Sequence, residues 1–248
     1  LLAGLTLGWG ITVPFWIAVI ALLGAAVLIA VALPREIPSP HTTSWLQVAR
    51  NKHAFQLLRT PSLRQLFYIQ LAYTCGVTAF YEFYPLWLVE FGGYHSKGIA
   101  WMTAALCAVM TISSLLAGRS SEIMPLERVR FHAYVAAAAI AVVGFGNTWL
   151  GLAAIILFGF PNAFYNALLP SWCAERFGHH GQGAVMGLIS TTFCLANIIM
   201  AIIGSVLTLI DTRLILVLGA ALSAWAAWRI GHWQKELAEL DQRELEAV

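Results

Sequence analysis

Gln70, Thr74, Thr78 and Glu82 recur every four residues within an otherwise apolar stretch, residues 66–90. That spacing lays an amide, two hydroxyls and a carboxylate along one face of a helix, where they can hydrogen-bond a solute or pass a proton. Glu82 is the sharpest of the four, because an ionisable group at membrane depth costs about 3 kcal/mol on insertion scales and faces a cavity or a partner. It lies about 16 residues, or roughly 24 Å, into its run and hence in the outer third of a bilayer. It could serve as a substrate or proton site, as a hydrogen-bonded structural carboxylate near an outer gate, or as a group snorkelling to the interface. No basic residue within an apolar run is placed to pair with it. Pro85 frees the carbonyl of Tyr81 and bends the helix beside Glu82. Tyr73, Phe80, Tyr81, Phe83 and Tyr84 add an aromatic wall that suits flat or cationic organic molecules, or that simply packs.

A second group lies further along. Pro161 frees a carbonyl next to Asn162, and Asn166 follows one turn later. Thr103, Cys107, Thr111 and Ser114 form a milder stripe, and Ser190, Cys194 and Asn197 mark another face. The residues expected to line a substrate cavity are therefore Gln70, Thr74, Thr78, Tyr81, Glu82, Asn162, Asn166 and Asn197. Glu82 is also the proton-coupling candidate, and Pro85 and Pro161 are the expected bends. Catalysis would need a nucleophile, a base or metal ligands gathered at one depth. His41, His53, His95, His132, His179, His180 and His232 all fall at span ends or in loops without zinc-binding spacing, so no catalytic residue, metal or cofactor is expected. Cys75, Cys107, Cys173 and Cys194 lack paired spacing and read as free thiols.

The elements that carry these residues are apolar runs near 12–33, 66–90, 98–118, 131–147, 149–170, 184–209 and 213–231, each of about the length that crosses some 30 Å of hydrocarbon as a helix. Of the 248 residues 60% are hydrophobic and 10% charged, and the mean hydropathy is +0.76. Soluble domains carry about 25% charged residues. A closed barrel would show alternating segments of about ten residues, whereas Val135 to Val143 is unbroken, so the fold class is all-α, a polytopic transmembrane helical bundle in a lipid bilayer. Arg35, Arg50, Lys52, Arg59, Arg64, Arg119, Arg128, Arg130, Arg176, Arg229, Lys235 and Arg243 fall in alternate gaps or at the C-terminal end, and the other gaps hold only Lys97 and Arg213. Short loops rich in Lys and Arg stay cytoplasmic, which puts the linker, the 119–130 and 171–183 loops and the C-terminus on that side. The net charge of +2 is thus topology and not nucleic-acid binding.

Residues 1–33 read as the end of one helix followed by a full span, and 34–63 as a cytoplasmic linker carrying an amphipathic helix through Trp45, Val48, Phe55 and Leu58. Residues 64–232 form a six-helix transmembrane domain and 233–248 a charged, solvated tail. The spans alternate as featureless, polar, polar, featureless, polar, polar, featureless. A repeat of three helices around a midplane site follows, with every third helix a candidate for the lipid-facing ring.

Pro161, Asn162, Leu168, Leu169, Pro170, Ser171, Glu175, Arg176, Gln182, Gly183, Val185, Gly187 and the run to Ile203, Gly204 resemble the tenth and eleventh helices of major facilitator superfamily drug:proton antiporters, the tetracycline and multidrug exporters above all. Arg59 to Arg64 is similar to that family's central loop, and Gly118, Arg119 to Arg130 to a worn copy of its helix 2 to 3 loop motif, with Glu122 where the motif has Asp. The resemblance implies the C-terminal half, from the end of helix 5 through helix 12, in a bacterial inner membrane. An N-terminal half that carries the principal motifs would then be a missing partner. It further implies alternating access with proton-coupled export of drug-like small molecules. The alternatives from the residues are an uptake symporter for a small metabolite and a non-transporting receptor or scaffold.

Overall fold

The computed structural model describes residues 12–32, 57–118 and 125–246. They form seven α-helices: α1 Val13–Ala32, α2 Pro61–Glu90, α3 Ser96–Ala117, α4 Pro125–Phe145, α5 Thr148–Arg176, α6 Gln182–Leu207 and α7 Thr212–Glu246. A single 3-10 turn, Gly178–His180, precedes α6, and no strand occurs among the described residues. All but α2 are long and apolar enough to cross a membrane. At 30 residues α2 is longer than most of them, and its polar file lowers its hydropathy without shortening it.

Local sequence explains the ends. Pro61 opens α2 at a position where its missing N–H costs nothing. The Asn147 side chain caps α5 by accepting from the Leu150 N–H at 2.9 Å. Asp211 accepts from the Arg213 N–H at 2.7 Å at the start of α7. Gly93 takes a φ of 64° in the short turn from α2 to α3, a backbone that side chains rarely adopt.

In lipid there is no hydrophobic drive between helices, so close backbone approach through small residues does the packing. Where α2 crosses α7, a Cβ at Gly76 would fall 2.5 Å from the Gly219 carbonyl oxygen, and one at Gly219 would fall 3.1 Å from the carbonyl oxygen of Gly76. The extensive contacts run α3 to α5 to α4 to α7 to α2 to α6. Exchanging the unit α2-α3-α4 with α5-α6-α7 leaves this order of neighbours unchanged. A unit of three helices ends on the opposite side from where it starts, so its successor is inverted in the membrane.

Both ends of the bundle are tied. At one, Thr148 donates to the Phe91 carbonyl at 3.3 Å and the Arg213 guanidinium sits 4.0 Å over the Phe91 ring. At the other, Gln65 donates to Glu236, and Trp233 packs against Trp172 and Phe177. Lys97 and Arg213 therefore lie at one end, and Arg59, Arg64, Arg128, Arg130, Arg176, Arg229 and Lys235 at the other. α2 runs the whole height between them.

Three readings from the sequence change. α5 continues through Pro170 to Arg176, because a proline inside a membrane helix is tolerated where neighbours satisfy the freed carbonyl. α7 runs beyond residue 232 with Trp233 and Leu237, one turn apart, both buried, so this part of the supposed tail belongs to the bundle. His132 is in no loop: it lies in the second turn of α4 and stacks on Phe164 of α5 at 4.5 Å. α4 and α7, two of the featureless helices, pack on each other and on α5 and α2, and each still turns an outward apolar face to its surroundings, with Phe131, Tyr134 and Val142 exposed on one and Leu214, Trp225 and Trp228 on the other. α3 and α6 are more exposed than either. α1 is apolar on all sides, with none of its described residues buried, which suits lipid or another apolar partner. The segment at Leu1–Gly10, the linker through Phe55 and the motif residues Arg119 and Glu122 lie outside the described residues. Leu57 is part of the core and Leu58 packs on it.

Candidate functional site

The cavity lies between α2, α3, α5 and α6, with a volume of about 730 Å³, inside the roughly 300–1,000 Å³ of small-molecule sites. Gln70, Thr74, Thr78, Tyr81, Glu82, Asn162, Asn166 and Asn197 all border it, together with Tyr73, Val77, Cys107, Met110, Ile189, Ser190, Phe193 and Cys194. The four-residue spacing on α2 is the cause on that side: successive turns present Gln70, Thr74, Thr78 and Glu82 to one opening. Asn162 and Asn166 do the same from α5, and Ser190, Cys194 and Asn197 from α6.

Most of these polar groups are held in fixed positions by one another. Asn162, buried on α5, is the hub: its Oδ1 accepts from the Tyr73 hydroxyl at 3.3 Å and from Asn166 Nδ2 at 3.0 Å, and its Nδ2 donates to the Tyr81 hydroxyl at 3.1 Å. Asn166 Nδ2 also reaches the Asn162 carbonyl at 2.9 Å. Tyr81 donates to the sulfur of Met110 on α3. The chain of bonds thus ties α2, α3 and α5 together. Gln70 Oε1 accepts from the Tyr165 hydroxyl at 3.1 Å, and the Tyr165 ring stacks on Tyr73 with centroids 3.5 Å apart. On the other flank Thr78 Oγ1 donates to Asn197 Oδ1 at 3.1 Å, joining α2 to α6. The Asn197 side-chain amide keeps its N–H donors and Thr74 its hydroxyl for the cavity.

Glu82 stands apart from this network. It is exposed towards the cavity and pairs with no cation among the described residues. Eight residues separate it from the end of α2 at Glu90, about 12 Å along the axis. Pro85, inside α2, leaves the Tyr81 carbonyl without its usual donor at the same level. Pro161 does the same to Leu157 one turn before Asn162, and Pro170 to Asn166 at the cavity itself.

The aromatic wall divides. Tyr73 and Tyr81 border the cavity. Phe80 and Tyr84 are buried, with Phe80 against Phe158 at 4.0 Å and the Tyr84 hydroxyl bonded to Thr103. Phe83 fills the space over Gly204 of α6. Tyr165, Met110, Ile189 and Phe193 escaped the sequence reading. Tyr165 had a signal, lying three residues after Asn162 and one before Asn166, whereas an apolar lining residue such as Ile189 looks in sequence like any lipid-facing one. Cys107 and Cys194 are exposed free thiols on the cavity wall, and Cys75 and Cys173 are buried ones. Among the described residues no group of His, Cys, Asp and Glu is placed to hold a metal.

The site is a half-open, largely apolar cleft with amides and hydroxyls at fixed points and one free carboxylate. That suits reversible binding of a solute inside a membrane and offers no nucleophile set against a base. No curated protein and no solved structure matches the chain. Residues 1–200 match the model of the Major Facilitator Superfamily. That match spans most of the sequence and agrees with the inverted three-helix units around a midplane cavity: the chain belongs to the major facilitator superfamily and is an integral membrane protein of the secondary-transporter class.

Proposed function

We propose that the chain is the C-terminal six-helix half, with the preceding helix, of a transporter that exports amphipathic or cationic small molecules in exchange for protons by alternating access. In this reading α1 is the last helix of the N-terminal half, and the cleft closes against that half across the exposed faces of α3 and α6. The basic end, with the linker and the C-terminus, faces the cytoplasm, as the positive-inside bias favours.

The observation that carries the reading is the free carboxylate of Glu82 on the wall of a cavity whose other polar groups are largely neutral and engaged with one another. A carboxylate there attracts a cation when ionised and releases it when protonated, so proton and substrate compete for one group. The ring of Tyr81 adds stacking and cation–π contact to an apolar floor. A sugar or carboxylate substrate would call for more free donors than the cleft presents, which favours amphipathic substrates over small metabolites. The test is Glu82→Gln in the complete transporter, reconstituted in liposomes with an imposed pH gradient and a fluorescent lipophilic cation. Gradient-driven transport should fall by at least about tenfold, the factor that corresponds to a loss of about 1.4 kcal/mol. Unchanged transport would sink the coupling role.

A further inference from the structure

A much smaller pocket of about 120 Å³ lies between α4 and α7, lined by Arg130, Tyr134, Trp228, Gly231, His232 and Lys235. It is on the far side of the bundle from the transport cleft, to which α4 and α7 contribute no residue. Its volume is below the roughly 300 Å³ of a small-molecule site.

The pocket is built around two cations. The Arg130 guanidinium lies over Gly231, where a Cβ would come within 2.9 Å of one of its terminal nitrogens. Lys235 follows Gly231 by one turn of α7. Of the acids nearby, Glu236 pairs with Arg229 at 3.7 Å and accepts from Gln65, and Glu127 and Glu239, one turn from Arg130 and Lys235 on their own helices, make no ion pair with them. Among the described residues neither Arg130 nor Lys235 has an ion-pair partner. Two adjacent positive charges without an ion pair, in a concave site, call for an anion.

The surroundings decide which anion. Tyr134, Trp225 and Trp228 are all exposed on the outward faces of these two helices. Amphipathic rings in such positions mark the headgroup level of a bilayer. From there α4 continues as the unbroken apolar stretch from Val135 to Val143. The pocket therefore sits where an apolar, outward surface turns basic. Basic pockets between helices at this level bind lipid phosphates.

We propose that this pocket binds the phosphate of an anionic phospholipid, held by Arg130 and Lys235, with the acyl chains lying along the α4–α7 surface beside Tyr134 and Trp225. The lipid would brace the two helices that form the back of the bundle. The experiment is a lipid titration of the full chain in neutral detergent, followed by native mass spectrometry, with dioleoyl phosphatidylglycerol, dioleoyl phosphatidylcholine and inorganic phosphate as separate probes. Phosphatidylglycerol should be retained in preference to phosphatidylcholine. Arg130→Gln and Lys235→Gln should each lower its affinity about fivefold, and the double variant about 30-fold, at roughly 1 kcal/mol per basic residue. Lys97→Gln, a charge removed from the other end of the bundle, should leave the affinity unchanged. Equal retention of phosphatidylcholine, or an affinity unaltered in the double variant, overturns the site. Inorganic phosphate that displaces the lipid at comparable concentration would make it a soluble-anion site and overturns the lipid assignment.

Discussion

The hub at Asn162 makes a quantitative demand. Asn162→Leu keeps the volume and removes three side-chain hydrogen bonds at once. They are not equivalent. Tyr81 borders the cavity and keeps its contact with Met110, and Asn166 keeps the main-chain carbonyl at 2.9 Å. The Tyr73 hydroxyl is different: its residue is 1% exposed and Asn162 is its acceptor. A buried hydroxyl left without a partner costs about 1–3 kcal/mol, whereas a bond between membrane helices contributes only about 0.6 kcal/mol on average and 1.7 at most. The orphaned hydroxyl therefore outweighs the two bonds that can be replaced, and Asn162→Leu should destabilise by about 2 kcal/mol. Tyr73→Phe alone gives up one long bond of 3.3 Å and should cost about 0.5 kcal/mol. In the double variant nothing is orphaned, so Tyr73→Phe should recover about 1 kcal/mol of the loss, giving a coupling of about 1.5 kcal/mol. The assay is reversible denaturant unfolding in mixed micelles for the wild type, both single variants and the double. Independent sites add to within about 0.3–0.5 kcal/mol. A coupling inside that range would refute the network as drawn, however large the single effects.

Three other outcomes follow from the packing and the cavity wall. Gly76→Ala places a Cβ 2.1 Å from Ser223 Oγ and 2.5 Å from the Gly219 carbonyl oxygen. It should destabilise by about 1–3 kcal/mol in thermal unfolding, because a backbone atom cannot swing aside. Gly183→Ala and Gly187→Ala, with nothing within 4 Å of the new Cβ, should be silent in the same measurement. Loss of equal size at all three positions would mean that the α2–α7 crossing is looser than described. A membrane-permeant maleimide should label Cys107 and Cys194 well before the buried Cys75 and Cys173, read by peptide mass spectrometry, and a cavity ligand should slow only the first pair. Uniform labelling of the four would argue against an open, wetted cleft.

The parts legible in the sequence are those in which a single helix reports on its own surroundings. A polar file at every fourth position tells a helix which of its faces meets water or another polar face, so the residues of α2, α5 and α6 that border the cleft could be named without knowing what lay opposite them. The number and order of the spans were legible for the same reason, since hydrocarbon acts on each helix separately, whereas the ends of α5 and α7 were not, because there helix continues past the apolar run. What lay hidden was pairing. Phe80, Tyr81, Phe83 and Tyr84 look alike as a wall, yet Phe158, Asn162, Gly204 and Thr103 claim them one by one from three other helices. In sequence Trp233 and Leu237 look like part of a solvated tail because charged residues surround them. Their one-turn spacing is the signal: both are buried, and the rings of Trp172 and Phe177 pack on Trp233.

The symmetry of the bundle sharpens the case for Glu82. Each three-helix unit supplies its first two helices to the cleft and its third to the back, so the scaffold treats α2 and α5 as equivalents, and α3 and α6 likewise. Equivalent scaffolds could carry equivalent chemistry, but they do not. α5 offers two asparagines already bonded to each other, and α6 an asparagine bonded to Thr78. The carboxylate occurs on α2 alone. Fold stability does not explain it, since the second unit is built on the same plan with no acid in the cleft, and no cation among the described residues neutralises it. An uncompensated charge that the architecture does not need, placed in a cavity of solute size, is best explained by what passes through that cavity. Such a charge is costly in a membrane whenever the cleft lacks either a cation or a proton, and that cost would couple occupancy of the cleft to the two together.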